Sequence, residues 1–162
     1  MRIRPLLLAA SLSLSSIAAA QTAPATQPPP GGVTDSGLEA KLVGLGYEPK
    51  KLSKGYLITV KRDTWTLYVQ LVLSGDMTKM GMNANLGEVT DDAVTAAQWR
   101  DILISNGNID PSTFYFDGDK HKLYLHRTMD NRSVTPAYLS DQINKFMDNI
   151  INTEATWKPV VH

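Results

Sequence analysis

From Thr113 to Arg127 the chain reads T-F-Y-F-D-G-D-K-H-K-L-Y-L-H-R, with apolar and polar residues alternating on both sides of Asp117-Gly118. Period two sends successive side chains to opposite faces of a strand. An Asp-Gly pair between two such runs marks a β-hairpin, because tight primed turns need the positive φ that glycine supplies. A loop of two or four residues pairs even with odd positions, so Phe114, Phe116, Leu123 and Leu125 share one face. The other face carries Thr113, Tyr115, Lys122, Tyr124 and His126.

Upstream the same period recurs three times. Tyr56, Ile58 and Val60 alternate with polar or outward positions; so do Trp65, Leu67, Val69, Leu71 and Leu73; so do Met80, Met82, Ala84 and Leu86. With turns at Arg62-Asp63 and Gly75-Asp76 and even-length loops, the three apolar sets fall on one face. This predicts an antiparallel meander, apolar on one side only.

Elsewhere the period is that of a helix. Leu38, Leu42 and Leu45 predict a short helix between Thr34 or Asp35 and Gly46. Ala96, Trp99, Ile102 and Leu103 predict a second, opened by Thr90 or Asp91 and closed by Asn106-Gly107. Leu139, Ile143, Phe146, Met147 and Ile150 predict a long third helix opened by Thr135-Pro136, since proline loses nothing at the first helical position. Trp99 reads as the anchor of the second helix on the sheet, and Asp91-Asp92 as charges placed favourably at its N-terminus. The expected fold is therefore α+β: helix, three-stranded antiparallel meander, helix, β-hairpin, helix, with the helices packed on one face of the sheet. Residues 33–155 make the single domain, and 156–162, around Trp157-Lys158-Pro159, a tail without usable period.

The N-terminus follows another pattern. M-R-I-R-P-L-L-L-A-A-S-L-S-L-S-S-I-A-A-A has the charged start, apolar run and small-residue end of a signal peptide, with cleavage before Gln21. The run is too short and too rich in serine for a membrane span, so the mature chain is expected without one, in the periplasm or secreted. Gln21 to Gly32, Q-T-A-P-A-T-Q-P-P-P-G-G, lacks charge and large apolar residues, which predicts a disordered tether. About 125 residues remain, enough for one real core.

The chain has 162 residues and no cysteine, which excludes disulfides and thiolate chemistry. Its 16 basic residues match 16 acidic ones; loss of Arg2 and Arg4 with the signal leaves 14 against 16. No positive field exists to recruit nucleic acid or anionic lipid. Of the three histidines, His121 and His126 differ in parity and would point to opposite sides of one strand, so they cannot share a metal. Asp117, Asp119 and Asp130 lack calcium-loop spacing, and the first two read as turn residues. No G-x-S-x-G elbow and no phosphate loop is present, so no catalytic residue, metal or cofactor is expected. Asn131-Arg132-Ser133 is a formal glycosylation sequon.

One feature is left, the polar face of the sheet. If meander and hairpin join, Thr64, Thr66, Tyr68 and Gln70 lie on the side of Tyr115, Lys122, Tyr124 and His126. Tyrosine combines large contact area, few rotors and a hydroxyl, so Tyr68, Gln70, Tyr115, Lys122, Tyr124 and His126 are the candidate binding residues for a protein partner or a second copy of the chain. Pairing at an outer strand is a second route to the same partners. An enzyme with a pocket converging on His126, and a structural envelope protein held by its tether, are the alternatives.

Several stretches together resemble the YbjN family, whose members share the type III secretion chaperone-like fold. They are L-x-x-L-G-Y at Leu42 to Tyr47, K-G-Y-L-I-T-V, the third strand ending A-N-L-G, the helix ending S-N-G-N, and the hairpin before a long last helix. The resemblance covers about residues 34 to 152. It implies a non-enzymatic module, protein-binding or regulatory, that holds protein segments or dimerises, and it carries no position-specific binding motif.

Overall fold

The computed structural model describes residues 27–162. The expected signal peptide and residues 21–26 of the expected tether lie outside the described residues. Helix α1 (Asp35–Gly44) opens on Thr34, whose hydroxyl accepts from the Gly37 N–H, and buries Leu38 and Leu42. It is left through Gly46, at φ +85°, a backbone region glycine enters without steric penalty.

A sheet of six strands follows: β1 (Lys50–Lys51), β2 (Tyr56–Arg62), β3 (Trp65–Leu73), β4 (Lys79–Glu88), β5 (Ser112–Asp117) and β6 (Lys122–Asp130). Their order is β1-β2-β3-β4-β6-β5, antiparallel throughout, so β4 against β6 joins meander and hairpin into one surface. Register makes the core. Ile58 lies opposite Val69, Val69 opposite Ala84, Ala84 opposite Leu125 and Leu125 opposite Phe114, an apolar row across five strands. All five side chains are buried.

Helix α3 (Pro136–Asn152) covers that row. Thr135 caps it by accepting from the Tyr138 N–H, and Leu139, Ile143, Phe146, Met147 and Ile150 are buried without exception. Each such side chain contributes about 1.5–3 kcal/mol. The expected α+β architecture stands, with helices on one face.

Several expectations are corrected. Helix α2 (Ala96–Asn106) begins at Thr95, not at Thr90 or Asp91, because Thr95 and Gln98 form a reciprocal capping box that satisfies two orphan N–H groups; Asp91–Ala93 is a single 3₁₀ turn. Its inward stripe continues at i+3 from Ile102 to Ser105, leaving Leu103 69% exposed. The hairpin does not use Gly118 at positive φ. Strand pairing ends at Asp117 and Lys122, His121 takes the left-handed conformation at φ +50°, and the Asp117 carboxylate accepts from the Lys120 N–H and pairs with the Lys120 ammonium. A side chain organises this four-residue loop, and His121 sits in the loop rather than on β6.

The expected tail is part of the core. Helix α4 (Glu154–Trp157) and a 3₁₀ turn bury Trp157 and Val160. The Trp157 indole N–H donates to the Ile150 carbonyl at 2.8 Å, its ring meets Trp65 edge-on at 6.0 Å, and the His162 N–H donates to the Glu88 carbonyl. Elements of three and four residues are too short to show a helical period, which is why the pattern was silent. The described end of the expected disordered tether is likewise seated. Gly32 N–H donates to Pro29 carbonyl and Val134 N–H to Gly31 carbonyl, and a Cβ on Gly32 would come within 2.3 Å of the Asn131 carbonyl oxygen. Asn131, the sequon asparagine, is fully buried and spends its amide on Val33 N–H, Val33 carbonyl and Met77 carbonyl.

Candidate binding face

All the buried apolar positions of the strands face the helices, so among the described residues no helix lies over the other side of the sheet. Across it run Gln70 on β3, Asn83 on β4, His126 on β6 and Thr113 on β5, each opposite the next. A parallel row places Tyr124 opposite both Asn85 and Tyr115. The strand period alone delivers these side chains to one plane.

Tyr115 and Tyr124 stack, with ring centroids 5.1 Å apart and planes 10° from parallel, and His126 meets Tyr115 edge-on at 6.4 Å. Partial burial, and then the neighbouring Tyr124 phenol, raise the Tyr115 pKa. His126 is held at both nitrogens. Its Nδ1 lies 2.8 Å from Asn83 Oδ1, which can only accept, so the neutral ring carries its proton on Nδ1 and accepts at Nε2 from the Thr128 hydroxyl, 2.7 Å away. Burial lowers its pKa, favouring that neutral ring. Gly81 makes the room: a Cβ there would stand 3.1 Å from His126 Cε1.

The six sequence-selected residues therefore do not form one cluster. Tyr115, Tyr124 and His126 are together. Tyr68 is on the same face but on β3, two strands away, 61% exposed. The Gln70 amide donates to the Lys54 carbonyl and pins the β1–β2 loop, and Lys122 lies at the far end of β6 within 3.7 Å of Glu88. Sequence reasoning missed Asn83, Thr128 and Gly81. Asn83 and Gly81 occupy the polar phase of the β4 alternation, but only the β4–β6 register, invisible without the fold, sets them under His126.

Edge pairing is partly closed off. The Phe114 N–H donates to Asn106 Oδ1 at 2.7 Å and the Asn106 amide donates back to the Phe114 carbonyl, so a side chain of α2 already occupies this stretch of the outer strand β5. Among the described residues no group of three His, Cys, Asp or Glu side chains could hold a metal, and no helix is long and apolar enough to cross a membrane.

No protein-family profile and no curated protein matches the sequence. Among solved structures, YbjN from E. coli matches with a TM-score of 0.59 at 15% identity, covering 76% of this chain and 93% of its own. The fold is that of YbjN and the type III secretion chaperones. SycH of Yersinia pestis, solved in complex with a stable fragment of YscM2, matches with a TM-score of 0.51 at 20% identity, covering 74% of this chain and 98% of its own. The YbjN-like fold accounts for the sheet and the helices behind it, and leaves the chemistry of the open face to this chain's own residues.

Proposed function

We propose that this chain is a non-enzymatic protein-binding module, exported by its first twenty residues, that takes its partner on the open face of a YbjN-like sheet. The observation that carries the reading is the Tyr115–Tyr124 stack beside a fixed His126, a rigid aromatic platform that no helix among the described residues covers. SycH, of like fold, was solved holding a fragment of another protein, which supports a polypeptide as the ligand. An enzyme would need a pocket converging on His126 with an acidic neighbour. His126 instead sits between an amide and a hydroxyl, and hollows of about 460–500 Å³ lie away from it, beside Lys54 and Ser74, beside Ala40 and Gly44, and beside Tyr47 and Lys61.

The test is photocrosslinking from the sheet face in the native host, followed by Tyr68→Ala, Tyr115→Ala and Tyr124→Ala combined. Loss of the captured protein with an unchanged unfolding midpoint supports the reading; capture that survives the triple substitution sinks it. Light scattering across a concentration series separates a second copy of the chain from a different protein. Export is checked by N-terminal sequencing of the recovered protein: Gln21 at the start supports it, Met1 refutes it.

A further inference from the structure

From Lys50 to Arg62 the chain reads K-K-L-S-K-G-Y-L-I-T-V-K-R, with a basic doublet at each end and no Asp or Glu. The strand period splits both doublets. Lys51, opposite Tyr56, and Arg62, opposite Trp65, fall on the helix side, where Asp35 of α1 pairs with the first and Asp148 of α3 with the second. Lys50, opposite Leu57, and Lys61, opposite Thr66, fall on the open side, where both are exposed and neither has an ion pair among the described residues. Glu48 and Asp63 flank the hairpin and pair with neither lysine, and Lys54 in its turn has no ion pair either. The other charges of the open face cancel: Lys79 pairs with Asp130, Lys122 faces Glu88 and Asp117 pairs with Lys120. The helices supply the counter-charge on their side; on the open side it is left to a partner.

The two lysines are spaced like positions of an extended chain. Lys61 lies four residues along β2 from Leu57, the partner of Lys50, so the two Cα atoms stand about 14 Å apart. Four residues of extended polypeptide cover the same distance. Tyr68 is opposite Thr59, midway between Leu57 and Lys61, and is 61% exposed, so an apolar contact surface lies between the two charges. In an extended segment residues i, i+2 and i+4 point the same way. Acidic residues at i and i+4 then meet Lys50 and Lys61 while an apolar residue at i+2 meets the Tyr68 ring. The hydroxyls and amides around this spot donate and accept alike, so charge and spacing make the selection.

We propose that the open face takes an extended acidic segment of a partner protein, with carboxylates two residues to either side of an apolar residue, on Lys50, Tyr68 and Lys61. This rests on the protein-binding reading above and specifies its partner. Two free cations on a chain of 16 basic and 16 acidic residues are too few to recruit a nucleic acid or an anionic membrane, which need a broad basic patch.

The probe is the synthetic peptide G-S-E-T-L-T-E-S-G, blocked at both ends. Titrated at low salt into the full-length chain and followed by the ring resonances of Tyr68, it should shift those signals and saturate, and bind more weakly as salt is added. The isomer G-S-T-E-L-E-T-S-G has the same charge with its glutamates turned off the contact side, and G-S-K-T-L-T-K-S-G has the opposite charge. Each should bind at least about fivefold more weakly, and Lys50→Gln/Lys61→Gln should lose the first peptide to the same extent. Lys145→Gln/Lys158→Gln, which removes as much charge from the helices, should bind it like the parent. Equal binding by the isomer overturns the proposal, as does unchanged binding by Lys50→Gln/Lys61→Gln, or saturation by dextran sulfate or phosphatidylglycerol vesicles without response to the peptide. If crosslinked capture in the native host depends on the tyrosines but not on Lys50 and Lys61, the acidic partner is wrong and the protein-binding reading stands. If capture is indifferent to the tyrosines as well, both fall.

Discussion

The two faces of this sheet are built from the same strands and obey opposite rules. On the helix side, Leu125 lies between Phe114 and Ala84 and is sealed under α3, and Leu139, Ile143, Phe146, Met147 and Ile150 leave no surface to water. On the other side Tyr115 is 41% exposed and Tyr68 61%, and hydrogen bonds rather than close packing hold His126 in place. Folding is decided on the first face, where every side chain has many partners and displaced water is the driving force. The second face is left free to be decided by whatever binds it.

That division predicts a steep difference in stability. Phe146→Ala, which empties the centre of the α3–sheet contact, should cost about 3–5 kcal/mol. The loss should appear as a lower urea midpoint at unchanged slope. A cost below about 1 kcal/mol would mean that the helix side is not the face that holds the fold together.

The helix side was also the side legible from sequence. Alternation and parity were enough to put Ile58, Val69 and Ala84 on one face of the meander and Phe114 and Leu125 on one face of the hairpin, because a one-residue slip would expose every one of them; the pairing of β4 with β6 then joins the two sets. The capping of α3 at Thr135-Pro136 was readable for the same local reason. What escaped was non-local or short. The two residues of β1 are strand only because Lys50 and Lys51 lie opposite Leu57 and Tyr56, and Trp157 is buried only because Ile150 and Trp65 come to meet it. On the open face the strand period placed the tyrosines correctly, but the His126–Asn83–Thr128 arrangement needs the β4–β6 register, which brings together Asn83 and His126, 43 residues apart.

A second substitution probes the border between the faces, the outer strand. Asn106→Ala removes both hydrogen bonds to Phe114 and should cost about 1–2 kcal/mol. It also bares an N–H and a carbonyl on β5, so the variant should show a rise in apparent mass with concentration that the parent lacks. Identical light-scattering curves would show that Asn106 does not guard the edge.

Tyr124→Ala moves fully onto the open face. A cross-strand aromatic pair contributes roughly 0.2–1 kcal/mol, so loss of the stack on Tyr115 should leave the urea midpoint nearly in place while crosslinked capture falls. A stability loss as large as that of Phe146→Ala would erase the distinction between the faces.

The smallest effect is the most specific to this surface. Burial lowers the His126 pKa, so the folded chain holds the neutral ring while the unfolded chain binds a proton near the ordinary histidine value of about 6.5. Stability from this group is therefore fully present above that pH, declines as pH falls towards the lower folded value, and changes no further below it. The groups around the ring are Asn83, Thr128, Thr113, Gly81 and Tyr115, none of them charged near neutrality, so the decline should be nearly independent of salt. Urea midpoints from pH 7.5 to pH 4.5 for the parent and for His126→Gln isolate it: the two curves should converge as acid removes the histidine's contribution, and a constant gap between them would show that desolvation on an open sheet face is too weak to be felt. Thr128 sharpens the outcome, because its hydroxyl can rotate from donor to acceptor when Nε2 gains a proton. The ring should then stay in place as it charges, and the neutral platform would become a cationic one without moving.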